Sequence, residues 1–120
     1  MSKILLVEDN PAQLDLMEVY LRDGGHLVIR LSDPKEALNK AIEQKPDVIV
    51  TDVVMPGMSG FELCRRLKQN PATAKVPIVI CSSKDQEIDR LWGMKQGAAA
   101  YLTKPFSREE LLRAVKLAGV

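Results

Sequence analysis

Three stretches of this chain, Ile4-Leu5-Leu6-Val7, Val48-Ile49-Val50 and Ile78-Val79-Ile80, are apolar at every successive position. A strand with that pattern is buried on both faces, as in a parallel sheet covered by helices on each side. Leu27-Val28-Ile29 and the short segment Ala99 to Leu102 bring the predicted strands to five. Helical patterns fill the gaps between them. Asn10-Pro11 supplies an N-cap residue and a first-turn proline, Leu14, Met17 and Leu21 recur at helical spacing, and Gly24-Gly25 ends that helix. Asp33-Pro34-Lys35-Glu36 reads as a capping box opening a second helix with Ala37, Leu38, Ala41 and Ile42 inward. Ser59-Gly60-Phe61-Glu62 opens a third with Phe61, Cys64 and Leu67 on one face, and Pro71 and Pro77 bracket the loop beyond it. A fourth helix is predicted from Asp85 to Lys95, and Ser107-Arg108-Glu109-Glu110 caps a fifth carrying Leu111, Leu112 and Val115. Regular alternation of this kind predicts an α/β domain. The expected architecture is a doubly wound, five-stranded parallel sheet in the flavodoxin-like order 2-1-3-4-5 with five helices.

Length and composition narrow the function. The 120 residues suit one domain spanning 1–120. A net charge of +1 with no basic run gives no footprint for nucleic acid. No apolar run approaches membrane-spanning length and no signal-peptide pattern is present, so a cytoplasmic protein without membrane insertion is expected. Cys64 and Cys81 lack metal-ligand or C-x-x-C spacing and read as small buried hydrophobes.

In an open parallel sheet ligands bind beyond the carboxyl ends of the strands, where the strand order reverses. For this order the reversal lies between the first and third strands. The first ends in Glu8-Asp9 and the third in Thr51-Asp52, so three carboxylates should converge on one crevice. Their repulsion opposes joint ionisation without a cation. Mg²⁺ suits such a site because it takes one or two carboxylates, keeps several waters and favours phosphate oxygens. A blander reading has Glu8 and Asp9 serving only the N-terminus of the first helix; Asp52 on the neighbouring strand weighs against it. The fourth strand brings the Ser82 hydroxyl to the same edge, and Lys104 follows the fifth. Hydroxyl, ammonium and cation together suit a tetrahedral dianion, and a carboxylate in that setting can accept a phosphoryl group.

Val7-Glu8-Asp9, Asp47 to Asp52, Met55-Pro56-Gly57-Met58-Ser59-Gly60, Ser82 and Tyr101-Leu102-Thr103-Lys104-Pro105, in this order, resemble the receiver domains of bacterial response regulators, the CheY-like fold, along the whole chain. The resemblance implies that Asp52 accepts a phosphoryl group from a phosphohistidine on a sensor histidine kinase. It implies Mg²⁺ held by Asp9, Asp52 and the backbone carbonyl of Val54, with Glu8 helping through water. Lys104 would bind phosphoryl oxygens, Ser82 would swing towards them, and Tyr101 would turn inward into the space vacated. The Lys104-Pro105 peptide would be cis. Glu8 and Ser82 stand where Asp and Thr are frequent. Val54 and Lys84 lie where family members tune phosphoryl lifetime, and apolar Val54 implies slow self-dephosphorylation. A downstream protein target is expected on the face made by the fourth helix, fifth strand and fifth helix, with the chain a monomer or weak dimer. Ser83-Lys84-Asp85-Gln86-Glu87, Trp92-Gly93 and Gln96-Gly97-Ala98 further resemble the PilH-type single-domain regulators of type IV pili and twitching motility.

Other residues read more plainly. His26 is expected at a surface turn, and Met55 and Met58 as packing. Trp92 is expected to pack, with a partner-facing anchor as the alternative. A haloacid-dehalogenase-type phosphohydrolase wants a second Asp where Val54 stands, and a flavodoxin wants a Ser/Thr/Gly-rich loop where Glu8-Asp9-Asn10-Pro11 stands. A pseudo-receiver, keeping the fold without phosphorylation, is the remaining alternative to a signalling phosphoacceptor that is not an enzyme.

Overall fold

The computed structural model describes residues 2–119. Five strands, β1 (Lys3–Val7), β2 (Leu27–Leu31), β3 (Val48–Thr51), β4 (Ile78–Ser82) and β5 (Ala100–Thr103), alternate with helices α1 (Pro11–Asp23), α2 (Ala37–Gln44), α3 (Gly60–Gln69), α4 (Glu87–Lys95) and α5 (Arg108–Leu117). All pairings are parallel and the sheet order is β2-β1-β3-β4-β5. This is the flavodoxin-like, CheY-like order expected from the sequence. Val7 lies opposite both Leu31 and Thr51, so β1 and β3 end level with one another at the carboxyl edge.

Successive side chains of each strand point to opposite faces. Ile4, Leu6, Val48 and Val50 therefore join Leu14, Met17, Leu21, Leu111 and Val115 in a core beneath α1 and α5. Leu5, Val7, Ile49 and Ile80 join Ala37, Ala41, Leu63, Cys64 and Leu67 beneath α2 and α3. Both cysteines are buried and free. Met55 is buried and Met58 packs half-buried against the second core.

Helix starts follow local chemistry. Asn10 Oδ1 accepts from Gln13 N at 3.0 Å, with Pro11 in the first turn. At α5 the capping box is reciprocal, with Ser107 Oγ accepting from Glu110 N and Glu110 Oε1 from Ser107 N, both at 3.1 Å. Ser59 Oγ caps α3 through Glu62 N, but the Glu62 carboxylate turns to Arg66 instead of reaching back.

Several expectations differ. The Asp33 segment is not a capping box, because Asp33 Oδ1 accepts from Lys35 N, two residues on, and Glu36 N bonds Asp33 O. That i to i+3 pattern makes a 3₁₀ turn over Pro34–Glu36, and α2 begins only at Ala37. Ala37 and Ala41 take its inward face, which turns Ile42 towards solvent. The fourth helix starts at Glu87, later than Asp85, because the Asp89 carboxylate accepts from Gln86 N and makes Gln86 the cap. Trp92 does not pack into the core: it is 47% exposed, with Lys95 Nζ 5.7 Å from its ring centroid. The buried residue of α4 is its neighbour Gly93, and Ile88, Leu91 and Met94 are exposed with the tryptophan. His26 is half-buried, and among the described residues its Nδ1 has no hydrogen-bond partner.

The start of α3 lies against the chain at Asp52. Gly60 N donates to Val53 O at 2.8 Å, and a Cβ on Gly60 would stand 1.9 Å from the Asp52 carbonyl oxygen. Nothing flexible lies in that path, so the backbone itself must give way. Gly60→Ala is expected to cost about 1–3 kcal/mol in urea unfolding, the range of an overpacked core. An unchanged midpoint would show that α3 retreats without penalty.

Candidate functional site

The ends of β1 and β3 carry the acidic residues. Glu8 is buried, and its backbone N–H continues the ladder onto Leu31 O at 3.0 Å. Asp52 N likewise donates to Val7 O at 3.2 Å, fixing the residue across the switch point from Glu8-Asp9. Glu8, Asp9 and Asp52 each present a carboxylate oxygen within 4.8 Å of the others. The convergence expected from the strand order is thus present.

Asp52 is gripped on one side only. Its Oδ1 accepts from Val53 N at 2.7 Å, while Oδ2 faces Lys104 Nζ at 3.5 Å. Lys104 sits closer to Glu8, with Nζ to Oε1 at 2.5 Å, and Glu8 Oε2 accepts from Asn10 N at 3.4 Å. Lys104 thus bridges β1 and β3 from beyond β5, where the Lys104-Pro105 peptide is cis as expected. Ser82, the last residue of β4, is buried, and its Oγ accepts from Lys84 N at 3.2 Å. Tyr101 on β5 donates its hydroxyl to Lys84 O at 2.7 Å. Val54 is 60% exposed at the rim, and among the described residues no hydrogen bond is donated to its carbonyl.

Charge explains the titration behaviour. Burial pushes the Glu8 carboxyl up and the nearby Asp52 charge adds to this, against the opposing pull of Lys104. Burial alone would lower Lys104, but its bond to Glu8 and the charge of Asp52 outweigh that and raise it. Ionised, three carboxylates against one ammonium leave two negative charges uncompensated. Each carboxylate pair at that spacing repels by on the order of 3 kcal/mol at an effective dielectric of about 20. A hard divalent cation with oxygen preference fits both the charge and the donor set.

A family model described as the response regulator receiver domain matches residues 4–116. The chain belongs to the response regulator receiver family. Protein PilH of Pseudomonas aeruginosa is 40% identical over 121 residues, covering 99% of this chain and 100% of that protein. The chemotaxis response regulator CheY4 of Vibrio cholerae superposes with a TM-score of 0.91 at 32% identity, over 98% of both chains. The receiver domain of a sensor histidine kinase from Pseudomonas aeruginosa superposes at 0.89 with 32% identity, over 99% of this chain and 98% of that one. That structure is described with a magnesium ion coordinated in its active-site cleft. Receiver domains bind Mg²⁺ at an acidic site, and this receiver has an acidic cluster of Glu8, Asp9 and Asp52.

Three residues around the site were not singled out as contacts by the sequence. Gly60 resembled only a motif position, whereas its contact with Asp52 depends on how α3 enters. Arg90 reaches Tyr101 and Thr103, and Gly93 lies against the Tyr101 ring. No sequence signal marks Arg90, and Gly93 stood only within a motif resemblance, because the phase of α4 decides both contacts.

The raised Glu8 carboxyl has a stability consequence in metal-free protein. A group whose folded value lies above its unfolded one stabilises most below the unfolded value, and that contribution is lost as pH rises through the folded value. Glu8→Gln removes this titration. Its stability relative to wild type should therefore improve as pH rises from below the ordinary 4.5 of a glutamate through the higher folded value. Urea unfolding in chelator across that window reads the variant's stability minus that of wild type; a difference that stays flat or falls with rising pH contradicts the assignment.

Proposed function

We propose that this receiver takes a phosphoryl group from a sensor histidine kinase onto Asp52 and signals by changed protein contact. The observation that carries this reading is the crevice itself: Asp52, Asp9 and Glu8 converge at the switch point, with Lys104 the cation beside them. Asp9, Asp52 and the Val54 carbonyl would hold Mg²⁺, with Glu8 assisting through water. The metal would neutralise charge between the carboxylates and the incoming phosphoryl oxygens.

The transfer itself is a displacement. The Asp52 oxygen facing Lys104 forms a bond to phosphorus, the phosphorus–nitrogen bond of the donor breaks, and its electron pair returns to the imidazole. Val53 N–H orients the other oxygen. Lys104 meets the phosphoryl charge as a point cation. Ser82 supplies a hydroxyl that turns from its own loop towards the new group. Tyr101 then follows inward, which shifts the population of conformations on the α4–β5–α5 face. Exposed Ile88, Leu91 and Trp92 give that face an apolar stripe for a protein target. Val54 cannot orient a water by hydrogen bonding, so self-dephosphorylation is slow and the chain is not otherwise an enzyme. Similarity to PilH over the full length supports a role in type IV pilus, twitching or chemotaxis-like control. On this reading the protein acts in the cytoplasm as a monomer or weak dimer. Among the described residues no helix is long and apolar enough to cross a membrane.

Acetyl phosphate with Mg²⁺, read by intact mass, tests the chemistry. Wild type is expected to gain one phosphoryl group and Asp52→Asn none. After removal of the donor, the added mass should decay over minutes or longer. No gain in well-folded wild type, with acetyl phosphate and with a kinase donor, points to a pseudo-receiver; decay within seconds refutes the role given to Val54.

A further inference from the structure

Arg90, on the first turn of α4, makes contacts that no other side chain of that helix makes. One guanidinium nitrogen donates to Tyr101 O at 3.3 Å and another to Thr103 Oγ1 at 2.5 Å. The guanidinium carbon also lies 5.5 Å from the centroid of the Tyr101 ring. Arg90 thus spans two residues of β5 that point the same way, using the planar fork that a lysine lacks. The helix also comes close to the ring at Gly93, where a Cβ would stand 3.0 Å from Tyr101 Cδ2. The tyrosine is thus met by a cation and by a residue with no side chain.

That grip continues towards the phosphoryl crevice. The Tyr101 hydroxyl donates to Lys84 O, and Lys84 N donates to Ser82 Oγ. Arg90, Tyr101, Lys84 and Ser82 therefore form one continuous path from the face of α4 to the end of β4. α4 has little else to hold it, since Gly93 is its one buried residue and its apolar side chains face outward. A cation over an aromatic face at a partly exposed site adds a modest attraction. Two charge-assisted hydrogen bonds add to that and fix direction. Together these are comparable with the free-energy gap between two side-chain positions that a switch must bias.

From this geometry we infer that Arg90 is a positioning residue: it holds Tyr101 in one arrangement and, through Lys84, fixes the turn that carries Ser82. The hold exists without phosphorylation, so it is separable from the function proposed above; only its effect on output rests on that reading. Removing the fork frees the ring to visit a second position, which shrinks the difference that phosphorylation can make.

Fluorotyrosine labelling suits the test because the chain has two tyrosines, Tyr20 and Tyr101. Two ¹⁹F resonances are expected, assigned by Tyr101→Phe. Removing a nearby cation shifts a resonance without any motion, so the readout is line shape. In unphosphorylated Arg90→Met, the Tyr101 line should split or broaden with temperature-dependent exchange while the Tyr20 line stays sharp. Arg90→Lys keeps a cation but not the fork and should narrow the Tyr101 line only in part, whereas Lys95→Met should leave it as in wild type. A single sharp Tyr101 line in Arg90→Met, shifted or not, overturns the inference. So does equal broadening at Tyr20, which would mark general loosening. Neither result bears on whether Asp52 is phosphorylated.

Discussion

Like charges brought together by backbone topology are the constraint on which the rest of this structure depends. The sheet order sets β1 beside β3, and equal registry ends both strands at one level. The residues that follow are acidic on both strands, so Glu8, Asp9 and Asp52 meet whatever their side chains prefer. Lys104, arriving from beyond β5, offsets one charge and lies nearer Glu8 than Asp52. The crevice is therefore left with a deficit of positive charge that packing cannot relieve. A fold stable enough to hold that deficit in place suits a cation and, on the function proposed above, would suit a phosphoryl group. Both apolar cores serve this end, one on each side of the sheet, by fixing the strands whose tips carry the charge.

Much of this was legible in the sequence because strands and their ends are local. An apolar run such as Ile4 to Val7 ends where the first acidic residue appears, and Glu8 continues the ladder just there. The same holds for Val48 to Val50 followed by Thr51-Asp52, and for the run that delivers Ser82. Capping residues at Asn10, Ser59 and Ser107 fixed three helix starts through side-chain bonds three residues long. What stayed hidden depends on helix phase and on contacts far apart in the chain. Trp92 was expected to pack, yet α4 meets the sheet through Gly93 and leaves the indole outside. The Asp33 segment carried a capping-box pattern, but the aspartate bonds only two residues on, and a 3₁₀ turn results. Ile42 fell on the expected stripe and faces solvent because the short helix seats Ala37 and Ala41 instead. Gly60 has no local reason to be glycine; its reason is the Asp52 backbone lying across from it.

Coupling between the crevice and the α4 face would run along a path of small, specific contacts instead of through the core. The residues on it differ in kind: a hydroxyl at Ser82, a backbone carbonyl at Lys84, an aromatic ring at Tyr101 and a guanidinium at Arg90. α4 is held to the sheet at few points and shows apolar side chains to solvent, so its position is inexpensive to change. That combination suits a face whose affinity for a protein depends on events at the strand tips. Similarity to PilH extends over the whole chain, including α4.

Locating the transferred phosphoryl group would test the proposed chemistry most directly. Borohydride reduces an acyl phosphate on aspartate to homoserine, and peptide mass spectrometry then reads which residue was converted. Conversion at Asp52 alone is the predicted result. Conversion at Asp9 or Glu8, or a phosphoryl group resting on Ser82 or His26, would contradict a mechanism in which Asp52 is the nucleophile at the switch point of the sheet.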